Sequence, residues 1–297
     1  MRESTKVLMR KHGWRIDRAV HNYFYFAFYY PYVFSLYHLF RILSTYFSWV
    51  TPIRHIIKMA FARYHAKVIS FGNTKKIFEL NEDITAVSEK NKKIVPFKYA
   101  YKILLQEPEF IAVMDCPCKK AMNAPDWTIN SCLSVGEKTS QFWIDRCGKK
   151  YNARKISQPE ALDLIKRFRK KGYLTQAFFK VATGGSTGVI CNCHIDNCVS
   201  LQATRFAKKF DPSISMSANS GYSVLHDEAK CKKCGTCASI CQFGAVIVHD
   251  GTWSYDENKC MGCELCVEHC PEKVLSLFQD PNKSIPLDID LVRAEYL

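Results

Sequence analysis

The sequence predicts an α+β protein in three parts: an aromatic-rich helical N-terminus, a mixed α/β middle domain with scattered cysteines, and a C-terminal unit of short strands around a duplicated cysteine loop. Three observations predict it. The spacing C-x2-C-x2-C-x3-C occurs twice after residue 230. Two C-x-C pairs further upstream each follow a short apolar, strand-like run. Residues 19–40 are rich in tyrosine and phenylalanine and contain no Asp, Glu, Lys or Arg. The expected boundaries are 1–65 for the helical segment, 66–221 for the middle domain, 222–280 for the cysteine-repeat domain and 281–297 for a tail.

The 297 residues are 47% hydrophobic and 24% charged, which supports a packed core and argues against wholesale disorder. Fifteen cysteines exceed what packing needs. They sit in C-x-C and C-x-x-C clusters, the spacing of metal ligands rather than of a disulfide framework. Metal-binding thiols must be kept reduced, so the expected location is cytoplasmic, with the cytoplasmic face of a membrane as a further expectation. Charge divides the chain. Residues 1–120 hold 20 basic against 9 acidic residues, residues 121–224 hold 15 against 7, and residues 225–297 hold 7 against 12. The acidic part is the cysteine-repeat part. The basic part suits an anionic membrane surface, an acidic protein partner or nucleic acid.

The N-terminus opens on a basic stretch (Arg2, Lys6, Arg10, Lys11, Arg15, Arg18). The uncharged segment after it is long enough to span a bilayer, but Tyr23, Tyr25, Tyr29, Tyr30, Tyr32, Tyr37 and Pro31 make it only mildly apolar. Two expectations follow: an amphipathic helix lying in a membrane interface, or aromatic helices packed on the rest of the protein. It lacks the core and cleavage site of a signal peptide. Residues 52–110 read as helical and mixed, punctuated by Pro96 and Pro108. Ile111–Met114 reads as a strand leading into Cys116-Pro117-Cys118. Ser157-x-x-Glu160 is a capping box for a helix with Ala161, Leu162, Ile165 and Phe168 on one face and Gly172 as its stop. Lys166, Arg167, Arg169, Lys170 and Lys171 fall on its outer side and end. Residues 183–188 form a glycine-rich loop without the lysine of a phosphate-binding P-loop, and Val189-Ile190 leads into Cys191-Asn192-Cys193.

The repeat reads Cys231-x2-Cys234-x2-Cys237-x3-Cys241 and Cys260-x2-Cys263-x2-Cys266-x3-Cys270-Pro271. Three cysteines so spaced can wrap one loop around an iron–sulfur cubane and give a thiolate to each of three irons. The loop's backbone N–H groups can face the inorganic sulfides. Zinc takes four ligands, usually as two pairs, and does not account for two sets of four. Ala245–Val248 and Thr252–Tyr255 flank Asp250-Gly251, a hairpin signal, and Tyr222–Leu225 and Val274–Phe278 are candidate outer strands.

Over residues 222–280 the chain resembles the bacterial 2[4Fe–4S] ferredoxin family. The resemblance implies a βαββαβ dicluster ferredoxin domain with short helices after Cys234 and Cys263. It also implies two [4Fe–4S] clusters, one on Cys231, Cys234, Cys237 and Cys270 and the other on Cys260, Cys263, Cys266 and Cys241. One position departs from the pattern: proline follows Cys270, but Gln242 follows Cys241. The expected effect is on loop stiffness, with no ligand removed.

Seven cysteines remain: Cys116, Cys118, Cys132, Cys147, Cys191, Cys193 and Cys198. In an extended segment residues i and i+2 share a face, so each C-x-C pair can present two sulfurs together. If the two runs lie side by side, four thiolates converge. Cys116, Cys118, Cys191 and Cys193 are thus a candidate third site, for an iron–sulfur cluster or zinc, with Cys132, Cys198 or His194 as alternates; buried thiols without metal are the remaining reading. Cys147 reads as an ordinary buried cysteine. The motif order over residues 110–205 (Cys116-Pro-Cys118-Lys119, Cys132 before Gly136, Ser157–Glu160, Cys191-Asn-Cys193) is similar to that of ferredoxin-fused 4Fe–4S proteins of anaerobic metabolism, except that His194 stands where a further cysteine is expected.

These readings predict an iron–sulfur electron-transfer protein working as a component of a larger oxidoreductase. The alternative is a ferredoxin-fed oxidoreductase with the upstream cysteines as its active site. No GxGxxG fingerprint supports a dinucleotide site, and no helix-turn-helix or RNA-binding signature supports a nucleic-acid partner.

Overall fold

The computed structural model describes residues 20, 23–25, 27–47, 49–61, 64–87, 93–94, 102–180, 188–207 and 215–296. The basic stretch at 2–18, Pro96 and loop residues 183–187 lie outside the described residues.

The middle of the chain is built on a seven-stranded sheet. Its strands are β1 (Tyr64–Ile69), β4 (Ile111–Asp115), β5 (Asn130–Val135), β6 (Arg154–Ile156), β7 (Leu174–Lys180), β8 (Val189–Cys193) and β9 (Ser217–Ala218), in the order β6-β4-β5-β8-β7-β1-β9. All pairings are antiparallel except β1 with β9. Strands alternate their side chains between faces. Met114, Cys132, Val189, Cys191 and Phe178 therefore enter one core, while Val113, Leu133, Ile190, Ala177 and Phe179 enter the other. Both faces are covered, so β4 and β8 are buried along their whole length.

Helix α1 (Tyr29–Tyr46), α5 (Glu137–Tyr151) and α7 (Val199–Ala207) close the first face, placing Tyr29, Val33, Trp143, Tyr151 and Leu201 in its core. The second face is closed by α3 (Phe71–Phe78), α6 (Gln158–Lys170) and the hairpin of β2 (Ile84–Val87) with β3 (Lys102–Leu105). Both of these helices start on a serine cap: Ser70 Oγ accepts from the Asn73 N–H and Ser157 Oγ from the Glu160 N–H. The Glu160 carboxylate does not complete the box; it pairs with Arg154 at 2.6 Å. Gly172, at φ 81°, ends the helical stretch in the left-handed region.

The C-terminal unit runs β10 (Tyr222–His226), α8 (Thr236–Ile240), β11 (Val246–His249), β12 (Thr252–Tyr255), α9 (Leu265–Glu268) and β13 (Leu275–Gln279), the expected βαββαβ order. The outer strands pair antiparallel, and so do the inner two, whose turn sits on Asp250 and Gly251 with φ of 48° and 70°.

Four features differ from the sequence reading. Residues 52–110 contain three strands besides α2 (Thr51–Phe61) and α3; β1 finds its partner more than a hundred residues away in β7, a pairing that local pattern does not carry. Residues 281–297 are not a detached tail: α10 (Ile289–Tyr296) buries Ile289 and Val292, with Leu287, in the same core as Ile77 and Phe78. Arg169 is not on the outer side of α6 but is 2% exposed and turned toward the C-terminal unit. Finally, the aromatic N-terminus satisfies neither expectation alone. α1 buries Tyr29, Val33 and Tyr37 but leaves Phe34, Leu39, Ile42 and Tyr46 in solvent. No helix among the described residues is long and apolar enough to cross a membrane.

Candidate metal centres

The two cysteine loops repeat one backbone conformation. In the first, Lys233 and Gly235 have positive φ (56° and 79°); in the second, the matching Gly262 and Glu264 do (64° and 71°). Left-handed residues at alternate positions turn successive N–H groups inward and make a concave anion-binding nest. The Lys233 N–H reaches Cys231 Sγ, and the Gly262 N–H reaches Cys260 Sγ, both at 3.3 Å. The Ala245 N–H reaches Cys241 Sγ at the same distance. Non-glycine residues occupy the left-handed region at about 1 kcal/mol or more. Glu264 is held there because its carboxylate, largely buried, accepts the Phe71 N–H at 2.6 Å at the start of α3. Gly262 has a stricter requirement: a Cβ would lie 2.2 Å from Ser220 Oγ and 2.4 Å from the Tyr222 carbonyl oxygen.

These loops line two cavities. Cys231, Cys234, Cys237 and Cys270 face the first. Cys241, Cys260, Cys263 and Cys266 face the second. Each cavity thus receives three cysteines from one loop and the fourth from the other half of the repeat. The donor set fits an iron–sulfur cluster: four soft sulfurs, backbone N–H groups directed at them, and apolar walls such as Val224, Val246 and Leu265 in the second cavity. A buried ring nitrogen beside the first cavity, His226 Nε2, has no hydrogen-bond partner among the described residues, and its side chain lines that cavity. Burial pushes the Cys263 thiol up to about 12 and raises Cys266 as well. Thiolates in that setting need a cationic partner.

The upstream cysteines gather on the first face of the sheet. The extended C-x-C reading holds for Cys191 and Cys193 on β8 but not for Cys116 and Cys118, which are the N-cap and the second residue of the short helix α4 (Pro117–Ala121) after β4; β5 lies between β4 and β8. That insertion puts Cys132 in the middle. It pairs directly across from Cys191 with their sulfurs 3.3 Å apart. Cys132 also meets Cys116, Cys116 meets Cys118, and Cys193 meets both Cys191 and Cys198, so six thiols form a continuous row. Hydrogen bonds from Cys118 and Cys132 hold Cys116 well below the ordinary thiol range, while the bonds to Cys116 and Cys191 raise Cys132. His194 stays out of the row; its Nδ1 lies 3.3 Å from the Asp196 carboxylate and its ring lies beside Tyr173. Cys147 is buried in α5, its thiol pushed up to about 12 by desolvation.

A polar seam joins the two regions. Arg169 Nη2 donates to the Cys263 carbonyl oxygen at 2.7 Å, and its Nε donates to the Glu268 carboxylate at 2.8 Å. Gln242, the residue that replaces proline, accepts the Ile195 N–H at 2.8 Å and donates to the Gly172 carbonyl. Spacing alone gave no sign of either role.

Comparison with known proteins agrees with this geometry. Residues 218–275 match the family described as "4Fe-4S dicluster domain". Residues 218–275 are therefore a ferredoxin-type domain of the kind that holds two [4Fe–4S] clusters. One component of the Na(+)-translocating ferredoxin:NAD(+) oxidoreductase complex of Acetobacterium woodii is 36% identical over 56 residues, 18% of this chain and 17% of that protein. A probable iron-sulfur subunit encoded in the Frd operon of Proteus vulgaris is 34% identical over 53 residues, 17% of this chain and 34% of that protein. The matched stretches thus span no more than about a third of either relative.

Proposed function

We propose that this protein relays electrons through two [4Fe–4S] clusters with crossed ligation, as a component of a larger oxidoreductase. Cys231, Cys234, Cys237 and Cys270 hold one cluster; Cys260, Cys263, Cys266 and Cys241 hold the other. The observation that carries the reading is the composition of the two cavities, three sulfurs from one loop and one from the opposite half. Each cluster supplies reversible one-electron chemistry at a potential set by hydrogen bonding and burial. The chain's own part is to fix the thiolates, direct N–H groups at the sulfurs and keep water from the second cavity. Both relatives are, by their names, components of larger systems, which supports redox partner proteins. Burial of Cys116, Cys132, Cys191, Cys193 and Cys198 supports a relay over a substrate-facing thiol site, since none offers a surface to a substrate. The test is anaerobic EPR with iron analysis. Reduced protein should show two interacting clusters, and Cys270→Ser and Cys241→Ser should each perturb a different one. Loss of the same cluster in both variants would reject crossed ligation.

A second reading concerns the N-terminus. Phe34, Leu39, Ile42, Tyr46, Phe47 and Trp49 expose an apolar strip beside the exposed Arg41, Arg54 and Lys58. Aromatic and aliphatic side chains next to basic ones suit peripheral attachment to an anionic membrane. Flotation with phosphatidylserine vesicles should carry the wild type upward and leave Leu39→Glu/Ile42→Glu in the soluble fraction; equal behaviour of the two rejects attachment.

A further inference from the structure

We propose that the row of six upstream thiols is the seat of a third iron–sulfur centre, placed to exchange electrons with the cluster on Cys241, Cys260, Cys263 and Cys266. The proposal rests on the reading of the C-terminal domain as an electron relay and extends it inward.

The thiols are more than a disulfide or a zinc ion requires. A disulfide uses two; a zinc ion and a single iron–sulfur cluster each take four, so zinc is left to the test below. Here Cys118, Cys116, Cys132, Cys191, Cys193 and Cys198 follow one another sulfur to sulfur, contributed by α4 and its N-cap, β5, β8 and the turn before α7. Such a row offers a soft, sulfur-only donor set to several irons.

The surroundings are built for negative charge. Lys119 is 2% exposed, and its ammonium is hydrogen-bonded only to neutral oxygens, the Thr128 carbonyl at 3.1 Å and Ser131 Oγ at 2.8 Å. No carboxylate pairs with it among the described residues. The Phe168 and Tyr173 rings lie 4.2 and 4.7 Å from the ammonium and offset part of its burial, but a buried ammonium without an anion is still costly. Thiolates ligating iron would compensate it. Gln176 Nε2 points at Cys198 Sγ at 3.8 Å while its Oε1 has no partner, so the amide is turned toward the sulfurs at the expense of its own oxygen. Tyr25, Tyr29 and Val33 of the N-terminal helical region roof the same core and keep water out.

Position completes the case. Cys263, Met261, Ile240 and Phe243 of the C-terminal domain pack against the core that contains the six thiols. Gln242 follows Cys241 directly and binds the N–H of Ile195, two residues from Cys193. A proline there could make neither of its side-chain bonds. The departure from the repeat thus ties one cluster loop to the thiol row. In each transfer one electron leaves one centre and enters the other, with no bond made or broken.

The test is iron, acid-labile sulfide and zinc per chain on full-length protein purified without oxygen, as wild type, Cys132→Ser/Cys191→Ser and Cys234→Ser/Cys263→Ser. Wild type should carry about twelve irons, and the Cys132/Cys191 variant about eight with the C-terminal EPR signals kept. The Cys234/Cys263 variant should retain four or more. Equal iron in wild type and the Cys132/Cys191 variant overturns the proposal, and so does zinc in place of the missing iron. If the Cys132/Cys191 variant does not fold, about twelve irons in wild type with four or more retained in the Cys234/Cys263 variant supports the third centre, and any lower count overturns it. Failure of the C-terminal reading looks different: the Cys234/Cys263 variant would then keep all the iron of the wild type.

Discussion

Arg169 Nη2 donates a 2.7 Å hydrogen bond to the carbonyl oxygen of Cys263, so a residue of the middle domain holds the backbone of a cluster-binding loop. The guanidinium is buried and also pairs with Glu268, which is about a quarter exposed. Removing one partner of such a pair leaves the other poorly satisfied. Arg169→Met should therefore lower stability by about 3 kcal/mol. Arg169→Met/Glu268→Leu should recover part of that loss. Thermal unfolding of the two variants against wild type, without oxygen, checks it; equal midpoints for single and double variants would show that the carboxylate does not depend on the arginine.

Gly262 and Gly235 allow a controlled comparison between the loops. A Cβ at Gly262 would strike Ser220 Oγ and the Tyr222 carbonyl, whereas one at Gly235 meets nothing within 4 Å. Gly235→Ala should bring only left-handed strain, about 1 kcal/mol, and keep both clusters. Gly262→Ala must move backbone, and iron per chain should drop by about four atoms, one cubane. Iron analysis of the two purified variants decides; similar iron in both would mean that the second loop can relax around the methyl group.

Gln242→Pro restores the proline found after Cys270. Cys241 has φ −77° and ψ 100°, an extended conformation that tolerates a following proline. The loop should keep its shape and its iron. The two side-chain bonds would go, leaving the Ile195 N–H and the Gly172 carbonyl unpaired. A loss of 1–3 kcal/mol, roughly one buried unsatisfied group, is expected at the seam. Hydrogen exchange at the Ile195 amide should quicken at least about fivefold, the factor that about 1 kcal/mol corresponds to. Unchanged exchange would mean that Gln242 does not hold the two regions together.

The C-terminal half of this picture was legible in the sequence because its signals are local. Cysteine spacing, the Asp250-Gly251 turn and the two short helices lie within 60 residues and do not depend on distant partners. The thiol row was half legible. Strand spacing put Cys191 and Cys193 on one face, but Cys116 and Cys118 start a short helix that the strand reading missed, and only the sheet order places β5 between β4 and β8 and makes Cys132 central. Arg169 was misread because helical periodicity tells where a side chain points and not what arrives there: the C-terminal domain covers that face and supplies Glu268 and the Cys263 carbonyl. The same holds for Leu287, Ile289 and Val292, whose burial depends on the chain returning to a core begun some two hundred residues earlier.

Lys67 should give the protein a pH-dependent stability. It lies in β1, fully buried, with its ammonium hydrogen-bonded to the Asn219 carbonyl at 3.0 Å and to Ser284 Oγ at 2.9 Å. Burial lowers its pKa from 10.5 to about 7. The sign follows from which state holds the proton. Between about pH 7 and 10.5 the unfolded chain keeps Lys67 protonated while the folded protein has released it, so the folded state gains with rising pH; below about 7 both are protonated and the gain is absent. The slope is at most about 1.4 kcal/mol per pH unit, so moving from pH 7 to pH 9 should add roughly 2 kcal/mol of stability through this residue. Lys67→Met removes the titration, and contributions of the clusters cancel in the difference between the two proteins. The thermal midpoint of wild type relative to Lys67→Met should therefore rise by several degrees between pH 7 and pH 9, since about 1 kcal/mol shifts a domain of this size by 2–4 °C. A difference independent of pH would mean that Lys67 keeps its proton on folding, with the two oxygens at 219 and 284 sufficient to solvate the charge.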